Sequence, residues 1–373
     1  MKIVIDDKIP YIEGVLEPFA EVVYLPGNRT TVDVVRNADA LITRTRTLCS
    51  RELLEGSHVK LIATATIGFD HIDIDYCAQT GITWINAPGC NAESVNQYIA
   101  SALFSYARRR NLTLQGRTIG MVGVGQVGSR IARTCEILGM EVLLNDPPRE
   151  RAEGPELFVS LEEIRQRADI ISFHVPLNLE GRDRTWHMVD ADFCAGLAKK
   201  PLLINTCRGE VFDTLALHDA LNAQQLSGLI LDCWENEPGI DLELLDRVDF
   251  GTPHIAGYSK DGKAKGTQTA VRAVSRCFGL GIDDWTPSAV EPPANPVIVL
   301  DGEGQSEESI LSNAVMASYE IKQDDAALRR NPQAFEQLRG DYPVRREFDS
   351  YTIKASNVRS ETLAKLKQLG FNT

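Results

Sequence analysis

The chain has 373 residues, 43% of them hydrophobic, and a formal net charge of -13. That length suggests two or three domains, and so negative a chain argues against nucleic acid or an anionic membrane as its main partner. A small anionic substrate stays open, because a local arginine cluster can hold one inside an acidic protein.

No apolar stretch is long enough to span a bilayer, and the opening MKIVIDD is expected to be a first strand with no signal peptide. The cysteines at Cys49, Cys77, Cys90, Cys135, Cys194, Cys207, Cys233 and Cys277 form no C-x-x-C pair. They read as reduced, mostly buried thiols of a cytoplasmic protein. The histidines lack ligand spacing, so no metal site is expected.

In chain order, short β-rich runs alternate with helical patterns. The runs are KIVID, ADALIT, KLIATAT, RTIGMVG, EVLLND, DIISFHV, PLLINT and LSGLILD. Helices are expected over Ala92–Arg109, Ser129–Leu138 and Thr214–Ala223. This alternation predicts parallel sheets covered on both faces, which suits nearly continuous apolar strands. Arg44 and Arg46 follow the second run with Thr45 between them. On an extended segment their side chains point one way and could hold a carboxylate or phosphate.

Three glycines, Gly123, Gly125 and Gly128, sit between the strand RTIGMVG and a helix whose apolar positions are Val127, Ile131, Cys135 and Leu138. That context is what a dinucleotide-binding turn demands. Gly123 permits the tight turn, Gly125 lets the backbone approach a pyrophosphate, and Gly128 allows close helix–strand packing. With Gln126 and Val127 they make the candidate phosphate cradle at a helix N-terminus. Asp146, ending the next strand, would accept hydrogen bonds from the ribose hydroxyls and repel a 2′-phosphate, favouring NAD over NADP. Arg149 nearby works the other way.

Open parallel sheets bind ligands at the carboxyl ends of their strands. Arg208 follows PLLINTC, Glu237 follows the strand that ends at Asp232, and His254 follows VDFGTP. His174 and Pro176 follow DIISF. Hydride removal from a 2-hydroxy acid needs a bidentate cation for the carboxylate and a base that titrates near neutrality. A carboxylate beside that base orients it and favours its protonated form. Arg208, His254 and Glu237 fill these roles, whereas His58, His71, His187 and His218 read as structural.

The blocks VGVGQVGSRIARTCEILGMEVLLND, HVPL, LLINTCRGEVFDTLAL, LILDCWENEP and TPHIAGYS together resemble the D-isomer-specific 2-hydroxyacid dehydrogenases, over residues 1 to about 285. The resemblance implies an NAD-dependent enzyme with two doubly wound parallel-sheet domains and an active site in the cleft. The substrate domain, flavodoxin-like, would comprise residues 1–95 and 256–285, and the Rossmann cofactor domain residues 96–255. It implies catalytic roles for Arg208, Glu237 and His254. It also implies cofactor contacts at Asp146, Val175, Thr206, Cys207, Asp232 and Gly257, and substrate contacts at Thr45, Thr66 and Tyr258. Val175 stands where threonine is common, and Gln97 where glutamate often occurs. Within the family the chain looks most like a branch acting on a phosphorylated acid.

The proline-rich TPSAVEPPANP opens a segment of different texture. Residues 286–373 are expected to form a small α+β module, implied to mediate a homodimer. Its SILSNAVMASY and SETLAKLKQLGF read as helices. Arg345 and Arg346 are candidates to reach a partner subunit's cleft, and Lys260, Lys263 and Lys265 read as a solvent-facing basic loop. Two alternatives stay open: a dehydrogenase for another acid such as 3-phosphoglycerate, and an NAD(H)-sensing corepressor on the same fold.

Overall fold

Every ladder between strands is parallel, as expected for apolar strands buried on both faces. A computed structural model describes residues 1–373. They divide into two compact units, Met1–Asn91 with Tyr258–Glu291 and Ala92–Gly257 with Pro292–Thr373.

In the first unit, strands β1 (Lys2–Asp6), β2 (Glu21–Leu25), β3 (Ala40–Thr43), β4 (Leu61–Thr64) and β5 (Thr83–Ile85) lie in the order β2-β1-β3-β4-β5. The chain steps to one side of β1 and then to the other, so its topological switch point lies at the carboxyl end of β1. Helix Lys260–Phe278 packs Ala270, Val271 and Val274 into a core with Ile3, Ile5 and Ile42. Ser259 caps it, its hydroxyl accepting the Gly262 amide at 2.8 Å, and Gly279 ends it in the left-handed region at φ +67°. The expected basic loop is therefore the start of a 19-residue helix.

The second unit holds β6 (Thr118–Val122), β7 (Glu141–Asn145), β8 (Ile170–Phe173), β9 (Leu202–Asn205), β10 (Gly228–Leu231) and β11 (Phe250–Gly251), in the order β11-β10-β9-β8-β6-β7. Its switch point falls at the carboxyl end of β6, where the three glycines sit. Helix Ala92–Arg110 is buried from Ser94 to Ala107 and places its three arginines in the last turn, where the helix dipole favours cations.

The segment from Pro292 onward packs within this same unit. Leu328 and Phe335 join the core of Trp234, Leu244 and Leu245. Asp325 accepts the Gly251 amide at 2.8 Å, and Arg329 donates to the Leu245 and Val248 carbonyls. These contacts cover the short edge strand β11. Strands β12 (Val297–Asp301) and β13 (Thr352–Ser356) form a two-stranded sheet flanked by helices Glu307–Ser318 and Ser360–Leu369. No helix is long and apolar enough to cross a membrane.

Candidate active site

Each glycine of the β6 turn has a separate steric reason. Gly123 has φ +87°, and a Cβ there would lie 2.7 Å from the His174 carbonyl oxygen. A Cβ on Gly128 would lie 2.0 Å from the Gly123 oxygen, so helix and turn could not close. Around Gly125 nothing lies within 4 Å. No side chain caps helix Gly128–Ile137 at Val127, and an N-terminus without a side-chain cap favours an anion beside the glycine turn. The residues present therefore fit a pyrophosphate.

Asp146 ends β7 and ties this turn down. One carboxylate oxygen accepts the Val124 amide at 2.8 Å, the other the Arg149 amide at 3.1 Å. The Arg149 fork meets Glu153 at 2.7 and 2.6 Å and the Val124 carbonyl at 2.6 Å. A guanidinium so engaged is not poised for a 2′-phosphate. Val175 packs against the unit's core. Thr206 lies 3.4 Å from His174, and Cys207 is buried with its thiol pushed up to about 11 by burial. Gln126 accepts Arg130 at 3.0 Å. Burial pushes His174 down to about 3, so it stays neutral, bonded to the Ser172 hydroxyl at 2.8 Å, and does not serve as a base near pH 7.

His254 sits on the Thr252–Gly257 loop after β11, in the left-handed region at φ +54°. A non-glycine residue keeps that conformation only where its surroundings enforce it. Here Asp232 enforces it. Its backbone carbonyl accepts the His254 amide at 2.8 Å, and its carboxylate accepts the Thr252 hydroxyl at 2.6 Å and the Ile255 and Ala256 amides at 2.8 Å each. Burial raises the Asp232 pKa, against the charge of His254 and these donors. The Asp232 carboxylate is thus the scaffold of the loop.

Glu237 Oε2 lies 2.8 Å from His254 Nδ1, and its other oxygen accepts the Trp234 amide at 2.9 Å. Burial pushes the Glu237 carboxyl up, but the charge and hydrogen bond of His254, the Trp234 amide and Arg339 outweigh it and leave it below its ordinary value. Arg208 follows β9, with Asn205 donating to its carbonyl at 2.9 Å. The next residue, Gly209, passes so close to Trp234 that a Cβ would lie 1.9 Å from its carbonyl oxygen. The Arg208 loop and the Glu237 loop are therefore packed backbone to backbone.

In the other unit, Arg44 donates to the Lys8 carbonyl at 3.3 Å, and Asp6 at the end of β1 feels both Arg44 and Arg46. Burial raises the Asp6 pKa, opposed by the Lys8 amide and the two arginines. Residues 45–46 form a turn, since β3 ends at Thr43. The pair is thus presented by a turn and not by an extended segment. Thr66 bonds the Thr64 hydroxyl at 2.8 Å and the Gly68 carbonyl at 2.9 Å. The Lys263 ammonium lies 4.6 Å from the centroid of the Tyr258 ring. Burial, then Arg44 and Lys260, push the Lys263 amine down to about 8. Lys263 thus belongs with Arg44 and Tyr258 and does not simply face solvent. Its place on the inner face of a helix capped by Ser259 was the signal that could have found it.

Arg345 and one group of metal-ligating residue types lie where the sequence did not place them. Arg345 is 4% exposed, inside its own chain, so it is no surface arginine reaching out to a partner. The fold also gathers Cys233, Glu237 and His254, whose ligand atoms lie within 4.8 Å of one another despite their spacing. Burial holds the Cys233 thiol protonated, with Asp232 and Glu237 adding to the effect. Glu237 and His254 already hold each other, so the set reads as a carboxylate–imidazole pair beside a packed thiol.

Residues 91–256 match the family described as D-isomer specific 2-hydroxyacid dehydrogenase, NAD binding domain. Residues 292–370 match a domain of unknown function, DUF3410. The erythronate-4-phosphate dehydrogenase of Bacteroides thetaiotaomicron is 51% identical over 95% of this chain and 99% of its own. That of Edwardsiella ictaluri is 42% identical over 100% and 99%. Among solved structures, NAD-bound 3-phosphoglycerate dehydrogenase from Entamoeba histolytica superposes with a TM-score of 0.65 at 25% identity, covering 78% of this chain and 99% of that one. Aquifex aeolicus D-lactate dehydrogenase with NAD and lactic acid gives 0.63 at 27%, covering 78% and 100%.

Proposed function

Because the chain belongs to the erythronate-4-phosphate dehydrogenases, within the D-isomer-specific 2-hydroxyacid dehydrogenase family, we propose that it oxidises 4-phospho-D-erythronate at C2. The product is 2-oxo-3-hydroxy-4-phosphobutanoate, on the route to pyridoxal 5′-phosphate. Bound NAD supplies the acceptor for the two electrons and hydrogen that leave C2 as hydride.

The observation that carries the reading is the 2.8 Å bond between His254 Nδ1 and Glu237. With Nδ1–H donated to the carboxylate, Nε2 carries the lone pair. Nε2 takes the C2 hydroxyl proton as the C–O bond becomes a carbonyl, and Glu237 stabilises the imidazolium that forms. Arg208 presents a planar fork to the substrate carboxylate and to the charge developing on the C2 oxygen. Gly123, Gly125, Gln126, Val127 and Gly128 would hold the pyrophosphate and Asp146 the ribose. Val175, Thr206, Cys207, Asp232 and Gly257 would complete the cofactor site.

Arg44, Arg46 and Lys263 supply the second anion site that a phosphorylated substrate needs, with Thr45, Thr66 and Tyr258 around it. We further infer a homodimer built through the C-terminal segment, supported by the exposed valines of β12, and a cytoplasmic location, supported by eight free cysteines, seven of them buried. The test is NADH formation with 4-phosphoerythronate, 3-phosphoglycerate and unphosphorylated erythronate. A kcat/KM at least roughly a hundredfold higher for the first supports the reading, given what a charge-assisted contact contributes. Equal values for erythronate would overturn it.

A further inference from the structure

Asp232 holds the amide side of the catalytic loop, and a different residue holds its carbonyl side. Arg345 Nη1 is shared between the Ile255 and Ala256 carbonyls at 3.4 and 3.3 Å. Its Nη2 donates to the Ser94 carbonyl, and its Nε to Gln97 Oε1 at 2.9 Å. The Ser94 hydroxyl adds a bond to the Ala256 carbonyl at 2.9 Å. The guanidinium carbon lies over the Tyr319 ring, 3.8 Å from its centroid. Tyr319 and Tyr342 both donate to Asp324, at 2.8 and 2.7 Å, which places a carboxylate behind the two rings.

Gln97 completes the lock. Fully buried, it accepts from Arg345 and donates to the Arg346 carbonyl at 2.9 Å and the Ser318 hydroxyl at 3.2 Å. A glutamate there could not make those two donations. Gln97 is thus matched to the arginine that the C-terminal segment brings in.

We propose that Arg345 is a positioning residue of the dehydrogenase, which fixes the loop bearing His254 so that its Nε2 is aimed at the substrate. The segment 292–370, whose family carries no assigned function, thereby becomes part of the catalytic architecture. The geometry is specific. The two residues that follow His254 are gripped at both backbone groups, by a carboxylate on their N–H groups and a guanidinium on their carbonyls. A guanidinium can reach two loop carbonyls, a helix carbonyl and a side-chain amide at once because its donors form a rigid planar fork, whereas a lysine cannot. This inference rests on His254 being the base.

The experiment compares Arg345→Met, Arg345→Lys and His254→Ala with the unaltered protein. Measured for each are kcat, KM for 4-phosphoerythronate, NADH affinity, the isotope effect with C2-deuterated substrate, and hydrogen exchange of residues 252–258. For Arg345→Met we expect kcat to fall roughly ten- to a hundredfold, the scale of a misplaced acid–base group. KM and NADH affinity should stay within about twofold, with a larger isotope effect and faster loop exchange. Arg345→Lys, keeping charge and ring stacking, should fall between Met and the unaltered protein. Should Arg345→Met not fold, Arg345→Lys decides on the same readings. A folded variant with unchanged kcat and isotope effect overturns the positioning role. If His254→Ala itself turns over normally, the base assignment fails instead, so the two failures are told apart.

Discussion

At the residue scale, chemistry depends on charges that the fold has adjusted. Glu237 keeps its proton off below the ordinary carboxylate range, so the Glu237–His254 pair survives mild acid. Glu237→Gln preserves a hydrogen bond but removes the charge that stabilises the imidazolium. We expect kcat to fall at least about tenfold with KM little changed, measured by steady-state NADH formation. Lys263 works in the other direction. Its amine, pushed down to about 8 by burial, would attract the proposed phosphate only while protonated. As pH rises through about 8 the unliganded protein loses that proton, so KM for the phosphorylated acid should climb by up to about tenfold per pH unit. Lys263→Met should raise KM roughly tenfold at pH 7, the scale of one charge-assisted hydrogen bond, and abolish the climb. A KM independent of pH from 7 to 9 in the unaltered protein would contradict this.

At the element scale, the β6 turn is the proposed seat of the cofactor. Gly123→Ala forces a Cβ into the His174 carbonyl at a positive φ. It should destabilise the unit by about 1–3 kcal/mol and weaken NADH binding, read by denaturant unfolding and fluorescence titration. Wild-type values in both would refute the steric argument. This turn was legible in the sequence because strand, glycine spacing and helix periodicity agree over one short stretch. Strands such as Ala40–Thr43 and Leu202–Asn205 were legible too, since burial on both faces leaves them apolar up to their last residue. Helix Lys260–Phe278 was not, because its lysines and two glycines read as a loop. Only the fold shows that Gly266 lies against the Ala65 carbonyl. Nor was the place of Arg345, since the sequence pointed it toward a partner's cleft and only the fold closes segments of its own chain around it. Arg208, Glu237 and His254 were nameable from strand ends and the family blocks. The grip of Asp232 on the His254 loop needed coordinates.

At the scale of the whole molecule, the C-terminal segment has two tasks. It covers β11 through Asp325 and Arg329, and it offers β12 outward, with Val299 76% exposed. We infer that this exposed apolar strand takes a second copy of the chain. The protein should sediment near twice its 41.2 kDa chain mass, and Val299→Lys should shift it toward the single-chain value. A monomer in the unaltered protein at micromolar concentration would rule out this assembly.

The most direct test is of His254 itself. Single-turnover NADH formation from 4-phosphoerythronate would be followed in His254→Ala beside the unaltered protein, with NADH affinity measured on the same samples. The account predicts affinity within about twofold and turnover slower by at least roughly a hundredfold, as befits loss of a general base. Near-normal turnover with intact cofactor binding would contradict it.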